Sequence, residues 1–203
     1  IEGKLTEEWR KQNPDVEPAS KLLERILIER RAKWEEAELA KMKTKGKEPK
    51  NDKWKSHYKE PIKRNGKAGP FPATWTMCTV DEVLREPMCN GLSVKGNDIP
   101  PGIKALKLNA ITPNGIDYKY VRYLSVEKEK VKNIFLARND FLVVRGNGTL
   151  AFVGRGAIVA TPTEPVIFPD TAIRLRFCEA LAETGWMPLS WQSFAVSEQI
   201  EPS

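Results

Sequence analysis

The sequence predicts an α+β protein in which a long N-terminal helical arm precedes a mixed, mostly β domain. Two observations support this prediction. Residues 19–42 contain neither glycine nor proline, and the later half of the chain holds five segments rich in β-branched, aromatic and alternating apolar residues. The chain has 203 residues, of which 40% are hydrophobic, so it carries enough apolar material for a core.

The helical arm is predicted from residue type and spacing. Pro18 suits a first helical turn, and the residues that follow it are mostly strong helix formers. Apolar and long side chains then recur every three or four positions, which places them on one helix face. A stripe of this kind needs a covering partner, so we expect either self-association or an exposed patch. The predicted helix interface consists of Leu23, Ile26, Leu27, Arg30 and Trp34.

Positive charge is concentrated in the N-terminal third. Residues 1–70 hold 19 Lys/Arg and 13 Asp/Glu, whereas residues 71–203 hold 14 of each. Residues 41–67 alone hold 11 basic and 3 acidic residues, with Trp54 and Tyr58 among them. Such a stretch can bind a phosphate backbone and stack on bases. It can equally be a solvated loop whose aromatic residues dock on a neighbouring part of the protein, and both interpretations stay open.

Glycine and proline at residues 65–70 (NGKAGP) indicate a linker. The predicted domains are therefore residues 1–70, the helical arm with its basic extension, and residues 71–203, the mostly β domain. Residues 79–84 suit a short helical turn. The predicted strand segments are residues 103–111, 118–126, 134–144, 150–159 and 166–177.

The chain lacks the motifs of common enzyme classes. It has no phosphate-binding loop, and the glycines at 146 and 148 precede a strand-like run where a dinucleotide fingerprint needs a helix. A single histidine cannot make a His-rich metal site, and no Gly-x-Ser-x-Gly elbow is present. We therefore predict no catalytic residue, no metal and no cofactor. Three widely spaced cysteines, no secretory signal and no membrane span favour the cytoplasm.

Several stretches resemble one known family, the specificity subunits of type I restriction-modification enzymes. The first set resembles the central conserved region of those subunits and consists of residues 3–10 (GKLTEEWR), 13–19 (NPDVEPA), 22–26 (LLERI), 29–31 (ERR) and 53–55 (KWK). Residues 141–148 (FLVVRGNG), followed by Val153-Gly154, are similar to a pattern in the target recognition domains of that family. Trp75 with residues 80–83 (VDEV) looks like the entry to such a domain.

The resemblance implies a subunit that reads DNA sequence and has no catalytic activity. In this family two target recognition domains are separated by two long antiparallel helices, and each domain reads one half of a split site. The implied partners are double-stranded DNA, the modification (methyltransferase) subunits and the restriction subunit. This chain has one spacer helix and one recognition domain, so we expect a fragment that reads one half-site. Two alternatives are a stand-alone metal-dependent DNA-processing enzyme and a basic module that binds nucleic acid or protein.

Candidate DNA-binding residues follow from the recognition motif and from the distribution of basic side chains. Arginine pairs well with guanine and asparagine with adenine, although an Asn-Gly pair also suits a plain hairpin turn. Each of the basic residues can also be an ordinary surface charge. Arg174 and Arg176 share one strand face, which is either a DNA contact or the polar outer face of the sheet. The candidates are Arg145, Asn147, Gly148 and Thr149 in the motif, Arg155 directly after Gly154, and Lys95, Lys104, Lys107, Lys119 and Arg122 elsewhere.

Overall fold

The structure is a computed structural model that describes residues 3–63, 71–146 and 150–200. The chain forms two compact units, Ile1–Glu86 and Pro87–Ser203. Residues 71–86 group with the N-terminal unit because they bond to the helical arm: the Ala19 N–H donates to the Thr74 carbonyl at 2.9 Å. The linker expected at residues 65–70 lies outside the described residues, and the predicted domain boundary stays a prediction.

The α+β fold class is confirmed. The helices are α1 (Glu7–Gln12), α2 (Ala19–Thr44), α3 (Lys128–Val131), α4 (Glu179–Ala182), α5 (Trp186–Trp191) and α6 (Phe194–Ile200). The strands are β1 (Cys89–Asn90), β2 (Ile103–Leu106), β3 (Ile111–Thr112), β4 (Gly115–Ile116), β5 (Val121–Leu124), β6 (Phe141–Val144), β7 (Gly156–Ile158), β8 (Val166–Ile167) and β9 (Ala172–Leu175). Among the short 3-10 helices are Asp52–His57, Asp81–Val83 and Leu150–Phe152.

In the N-terminal unit, α2 packs against later parts of the same unit. Ile26 and Arg30 are buried, and Leu23 and Leu27 are half-buried. The 3-10 helix Asp81–Val83 lies against α2 and begins with a reciprocal cap, in which the Thr79 N–H donates to Glu82 Oε2 at 2.8 Å and the Glu82 N–H donates to Thr79 Oγ1 at 3.2 Å. The stripe predicted to need a partner is therefore covered in part by its own chain, and self-association stays a prediction.

Among the described residues, the C-terminal unit contains three small sheets. The largest has the order β1-β9-β6-β7, and all of its neighbouring strands are antiparallel. The second has the order β5-β2-β8, in which β2 and β8 run parallel, and the third is the β3-β4 hairpin. Phe141, Phe168 and Leu106 are among the largest fully buried side chains, so the core lies where the sheets pack together.

Several predicted strands are shorter in the structure than the sequence pattern indicated. The segment at 150–159 begins as a 3-10 helix and becomes strand only at Gly156, because Gly154 takes a left-handed conformation with φ 79°. The segment at 134–144 becomes strand only at Phe141, after Asn139 with φ 67°. Buried turns are as apolar as buried strands, so the alternation of apolar residues alone did not show where the strands begin.

Candidate nucleic-acid interface

Arg145 and Arg155 lie next to each other where the hairpin of β6 and β7 ends. Arg145 directly follows β6 and Arg155 directly precedes β7. The Val144 N–H donates to the Arg155 carbonyl at 2.9 Å, and the Gly154 N–H donates to the Val144 carbonyl at 2.8 Å. The structure thus brings together two arginines that the sequence predicted separately. The other predicted residues of this motif, Asn147, Gly148 and Thr149, lie outside the described residues.

The Arg145 side chain is exposed but held in orientation by the backbone of a neighbouring loop. Its Nε donates to the Asp170 carbonyl at 2.7 Å, and its main-chain N–H donates to the Thr171 carbonyl at 2.9 Å. A guanidinium has five N–H donors in a planar fork, and the Nε bond uses one of them. The bond therefore fixes the plane of the guanidinium while its two terminal amino groups carry the other four donors. This arrangement suits bidentate recognition of a planar acceptor pair.

The Arg155 side chain is half-buried and packs on an aromatic ring. Its guanidinium carbon lies 4.3 Å from the centroid of the Phe152 ring, a distance typical of a cation–π contact. Phe152 itself packs against the main core cluster. Arg155 is therefore positioned by the core, and its backbone pairs with Val144, the residue before Arg145.

Lys104 and Arg122 lie in the second sheet, and the structure places them on opposite faces of it. In the β2–β5 pairing, Lys104 is opposite Tyr123 and Arg122 is opposite Ala105, and successive residues of a strand point to opposite faces. Lys104 also pairs with Glu164. Buried Arg122 Nε has no hydrogen-bond partner within the part of the chain that the structure describes. These two residues therefore do not form one phosphate-binding surface.

The remaining predicted phosphate contacts are exposed or paired with acids. Lys95 is exposed. Lys107 Nζ lies 2.7 Å from Asp98 Oδ1, and this hydrogen bond lowers the pKa of the Asp98 carboxyl. Lys119 Nζ lies 2.9 Å from Asp117 Oδ2, and that bond raises the pKa of the Lys119 ammonium. A phosphate would have to compete with these acids for Lys107 and Lys119, and a DNA contact by Lys95 stays a prediction.

Arg174 and Arg176 belong to the framework of the domain. Arg174 is 3% exposed, and its Nη1 donates to the Phe135 carbonyl at 3.1 Å. Arg176 donates from Nε to Asp140 Oδ1 at 2.6 Å and from Nη2 to Asp140 Oδ2 at 3.2 Å. Asp140 is fully buried. The interpretation of both arginines as the outer face of the sheet was wrong for Arg174, which is buried. No local sequence pattern marks the carboxylate that joins the two arginines.

The aromatic residues of the basic stretch pack on α2. The Trp54 ring stacks on Trp34 with a centroid distance of 5.9 Å, and the Tyr58 ring lies 5.3 Å from Trp34 at an angle of 60°. Burial raises the pKa of the Tyr58 hydroxyl. All three rings are half-buried, which favours the second of the two interpretations of this stretch. Trp34, predicted to lie at a helix interface, thus has its aromatic partners within its own unit.

Trp54→Ala tests whether this cluster holds the basic stretch to the helix. We expect the substitution to lower the free energy of unfolding by about 2 kcal/mol, because a half-buried tryptophan and one aromatic pair are lost. Urea unfolding followed by circular dichroism measures the loss. The matched control is Trp186→Ala, since Trp186 is 59% exposed and its removal should cost under about 0.5 kcal/mol. An equally small loss of unfolding free energy in both variants would contradict a stabilising role for the packing of Trp54 on Trp34.

The described residues form neither a metal-binding cluster nor a membrane-spanning helix. No group of three or more His, Cys, Asp or Glu side chains among them is placed to hold a metal ion. No described helix has the length and apolar character needed to cross a membrane.

The chain is similar to the type I restriction enzyme EcoKI specificity subunit of Escherichia coli (strain K12). The two are 31% identical over 116 residues, which make up 56% of this chain and 25% of the relative. The chain thus spans about a quarter of the length of this curated relative. No protein-family model matches the chain. The family resemblance predicted from the residues is confirmed by this similarity.

Proposed function

Starting from the confirmed resemblance to the specificity subunits of type I restriction enzymes, we propose that this chain reads one half of a DNA recognition site. One observation carries the proposal further than the resemblance does. Arg145 lies in the motif that resembles the recognition domains of this family, and a main-chain carbonyl orients its guanidinium through a 2.7 Å bond. A base-reading arginine must present its fork in a fixed plane, because guanine offers its O6 and N7 acceptors side by side in the major groove.

In this proposal the two arginines of the hairpin have different roles. Arg145 contacts a base edge and so contributes to sequence preference, whereas Arg155, held against Phe152, contacts a phosphate. Phosphate contacts position a protein on the duplex and base contacts specify the sequence. Lys95 is a further phosphate contact in the same unit. Asn147, Gly148 and Thr149, between the two arginines in sequence, complete the proposed contact.

The proposed partners follow from the same family. The chain acts in the cytoplasm as part of an assembly with modification (methyltransferase) subunits and a restriction subunit, which supply the chemistry, while this chain is not an enzyme. The helical arm supports those subunits and sets the spacing between half-sites. The absence of recognisable catalytic motifs in the sequence agrees with this division of labour.

Arg145→Ala tests the base contact. We expect the variant to lose about 1–3 kcal/mol of discrimination at one base pair of the half-site, because a bidentate contact is removed. The preference is measured by selecting duplexes from a random pool at low salt and sequencing those that the protein retains. If the isolated chain enriches no motif, the selection is repeated with the modification subunits present, since the C-terminal unit offers few phosphate contacts.

Two controls accompany this experiment. Arg145→Lys keeps the charge without the planar fork, so it should lose the preference while it retains most of the overall affinity. Arg138→Ala removes another exposed arginine of the same unit and should leave the preferred motif unchanged. If Arg145→Ala selects the same motif as the unmodified chain, Arg145 does not contact a base.

A further inference from the structure

The last turn of α2 and the chain that follows it form a densely basic surface in the N-terminal unit. We call it the lysine surface and define it as Lys43, Lys45, Lys47, Lys50 and Lys53, all of which are exposed. The chain reverses direction at this point, because the Lys47 N–H donates to the Met42 carbonyl at 2.9 Å. A cleft of about 260 Å³ lies between the returning segment and the helix, lined by Glu35, Leu39, Pro49 and Lys50 among others. The segment that carries Lys47, Lys50 and Lys53 therefore runs back beside the last turns of the helix.

Several other lysines of the arm form ion pairs. Lys21 pairs with Glu24 at 2.9 Å, Lys41 with Glu38 at 2.6 Å and Lys55 with Glu35 at 3.5 Å. No member of the lysine surface has an acidic group within ion-pair distance in the described ranges. Glu48 and Asp52 lie in the same stretch, but Asp52 pairs with Lys55 at 3.5 Å. The surface thus keeps an excess of positive charge that its own unit does not neutralise.

Stabilisation of the helix does not account for this charge. Lysines in the last turn of a helix interact favourably with its dipole, which explains Lys41 and Lys43. The dipole effect falls off within one turn, whereas Lys47, Lys50 and Lys53 lie beyond Thr44, the last residue of α2. Repulsion among the unpaired ammonium groups costs stability unless a polyanion offsets it.

The aromatic residues of the same stretch indicate which polyanion fits. Trp54 and Tyr58 pack on Trp34 and so do not form an open platform on which single-stranded bases could stack. Single-strand binding combines cations with such platforms, whereas duplex DNA presents only its phosphates to a basic surface, about one charge per 1.7 Å of axis.

We propose that the lysine surface binds the phosphate backbone of duplex DNA irrespective of sequence. That the duplex is DNA rests on the proposed function, whereas the preference for phosphate over bases rests on the charges and the packed aromatic rings. The surface would act independently of the half-site reading proposed for the C-terminal unit. It adds affinity that is equal for all sequences and is screened by salt.

The test neutralises lysines beyond the helix in the full chain. Lys45→Gln, Lys47→Gln and Lys50→Gln are combined in one variant, and its binding to a short labelled duplex of random sequence is measured by fluorescence anisotropy between about 50 and 200 mM salt. We expect the slope of log affinity against log salt to become shallower by about 2–3, since each lost phosphate contact contributes about 0.9.

The matched control changes the same net charge in the other unit. Lys128, Lys130 and Lys132 are replaced by glutamine, and two of them already pair with acids, Lys130 with Glu127 at 3.0 Å and Lys132 with Glu129 at 3.3 Å. This variant should keep the slope of the unmodified chain. An equally shallow salt slope in both triple variants would mean that net charge alone determines the binding of DNA, and this result would overturn the proposal. Tighter binding of single-stranded than of duplex DNA would overturn it as well.

Two readouts separate this proposal from the proposed function. Site selection with the triple lysine variant should enrich the same motif as the unmodified chain, because contacts between lysines and phosphates do not depend on the base sequence. A second outcome is that selection enriches no motif with any form of the chain, while the triple lysine variant still has a shallower slope of log affinity against log salt. In that case the half-site proposal fails and the proposal for the lysine surface is supported. Melting temperatures of all variants are compared to check that they are folded. If the triple variant is unfolded, the single variant Lys47→Gln replaces it, and its slope of log affinity against log salt should be shallower by about 0.9.

Discussion

Asp140→Ala should lower the free energy of unfolding of the C-terminal unit by about 3–5 kcal/mol, because it leaves buried cations without their counter-ion. The Asp140 carboxylate has no exposed surface. It lies 2.6 Å from Arg176 Nε and 3.9 Å from Arg174 Nε, and it accepts the Ala137 N–H at 2.9 Å. Removing it breaks three interactions that join β6, β9 and the turn before β6 at one point.

The loss is measured by urea unfolding followed by circular dichroism, with Asp98→Ala as the matched control. Asp98 also pairs with a cation, Lys107, at 2.7 Å, but its side chain is 81% exposed. An exposed pair contributes at most about 1 kcal/mol, so the control should be nearly neutral. A loss for Asp140→Ala no larger than that of the control would show that the carboxylate does not hold the sheet together. The double variant with Arg176→Ala should lose less than the sum of the single variants, since the two groups share one interaction.

Asp81→Ala should destabilise the N-terminal unit by about 3 kcal/mol. Asp81 Oδ1 lies 3.2 Å from Arg30 Nη2, and Asp81 Oδ2 accepts the Ile62 N–H at 2.8 Å. Arg30 is 7% exposed and donates as well to the Asp81 carbonyl, which the substitution retains. The carboxylate is therefore the charge that compensates a buried guanidinium in the middle of α2, and its loss leaves that cation with a neutral acceptor alone.

Amide hydrogen exchange reports this change more locally than unfolding does. We expect the protection of the α2 amides around Arg30 to fall in Asp81→Ala, while the amides of the C-terminal unit keep theirs. Glu60→Ala is the control, because Glu60 pairs with Arg31 at 3.4 Å on an exposed part of the same helix and should matter little. Unchanged protection at Arg30 would contradict the role of Asp81.

The sequence predicted the long helix well because its evidence is local. A run without glycine or proline and a spacing of three and four residues define both the helix and its apolar face. They do not define what covers that face. Trp34 and Trp54 are 20 positions apart in sequence, and Arg30 and Asp81 are 51 apart. The stripe therefore predicted a covering partner, whereas part of its cover comes from later residues of the same unit.

The candidate site was predicted unevenly for a similar reason. Arg145 and Arg155 stand out because a glycine-rich motif marks the hairpin end on which both lie. The pattern of alternation also predicts that Arg174 and Arg176 share one strand face, but alternation says nothing about which face is buried. Their carboxylate partner, Asp140, is 36 residues from Arg176, and no local pattern marks it. Lys104 and Arg122 were grouped by charge alone, and only the strand register shows that they point apart.

The bond between Arg145 and residue 170 has a consequence for how a protein of this kind can change its target. The acceptor is the main-chain carbonyl of Asp170, and every amino acid carries the same carbonyl. The orientation of the guanidinium is therefore encoded in the path of the backbone rather than in the identity of residue 170. Under the proposed function, side chains around the hairpin can be exchanged one at a time while the reading position remains intact. Substitution of these side chains is therefore a starting point for changing the target sequence, because the backbone carbonyl that orients Arg145 is kept in every variant.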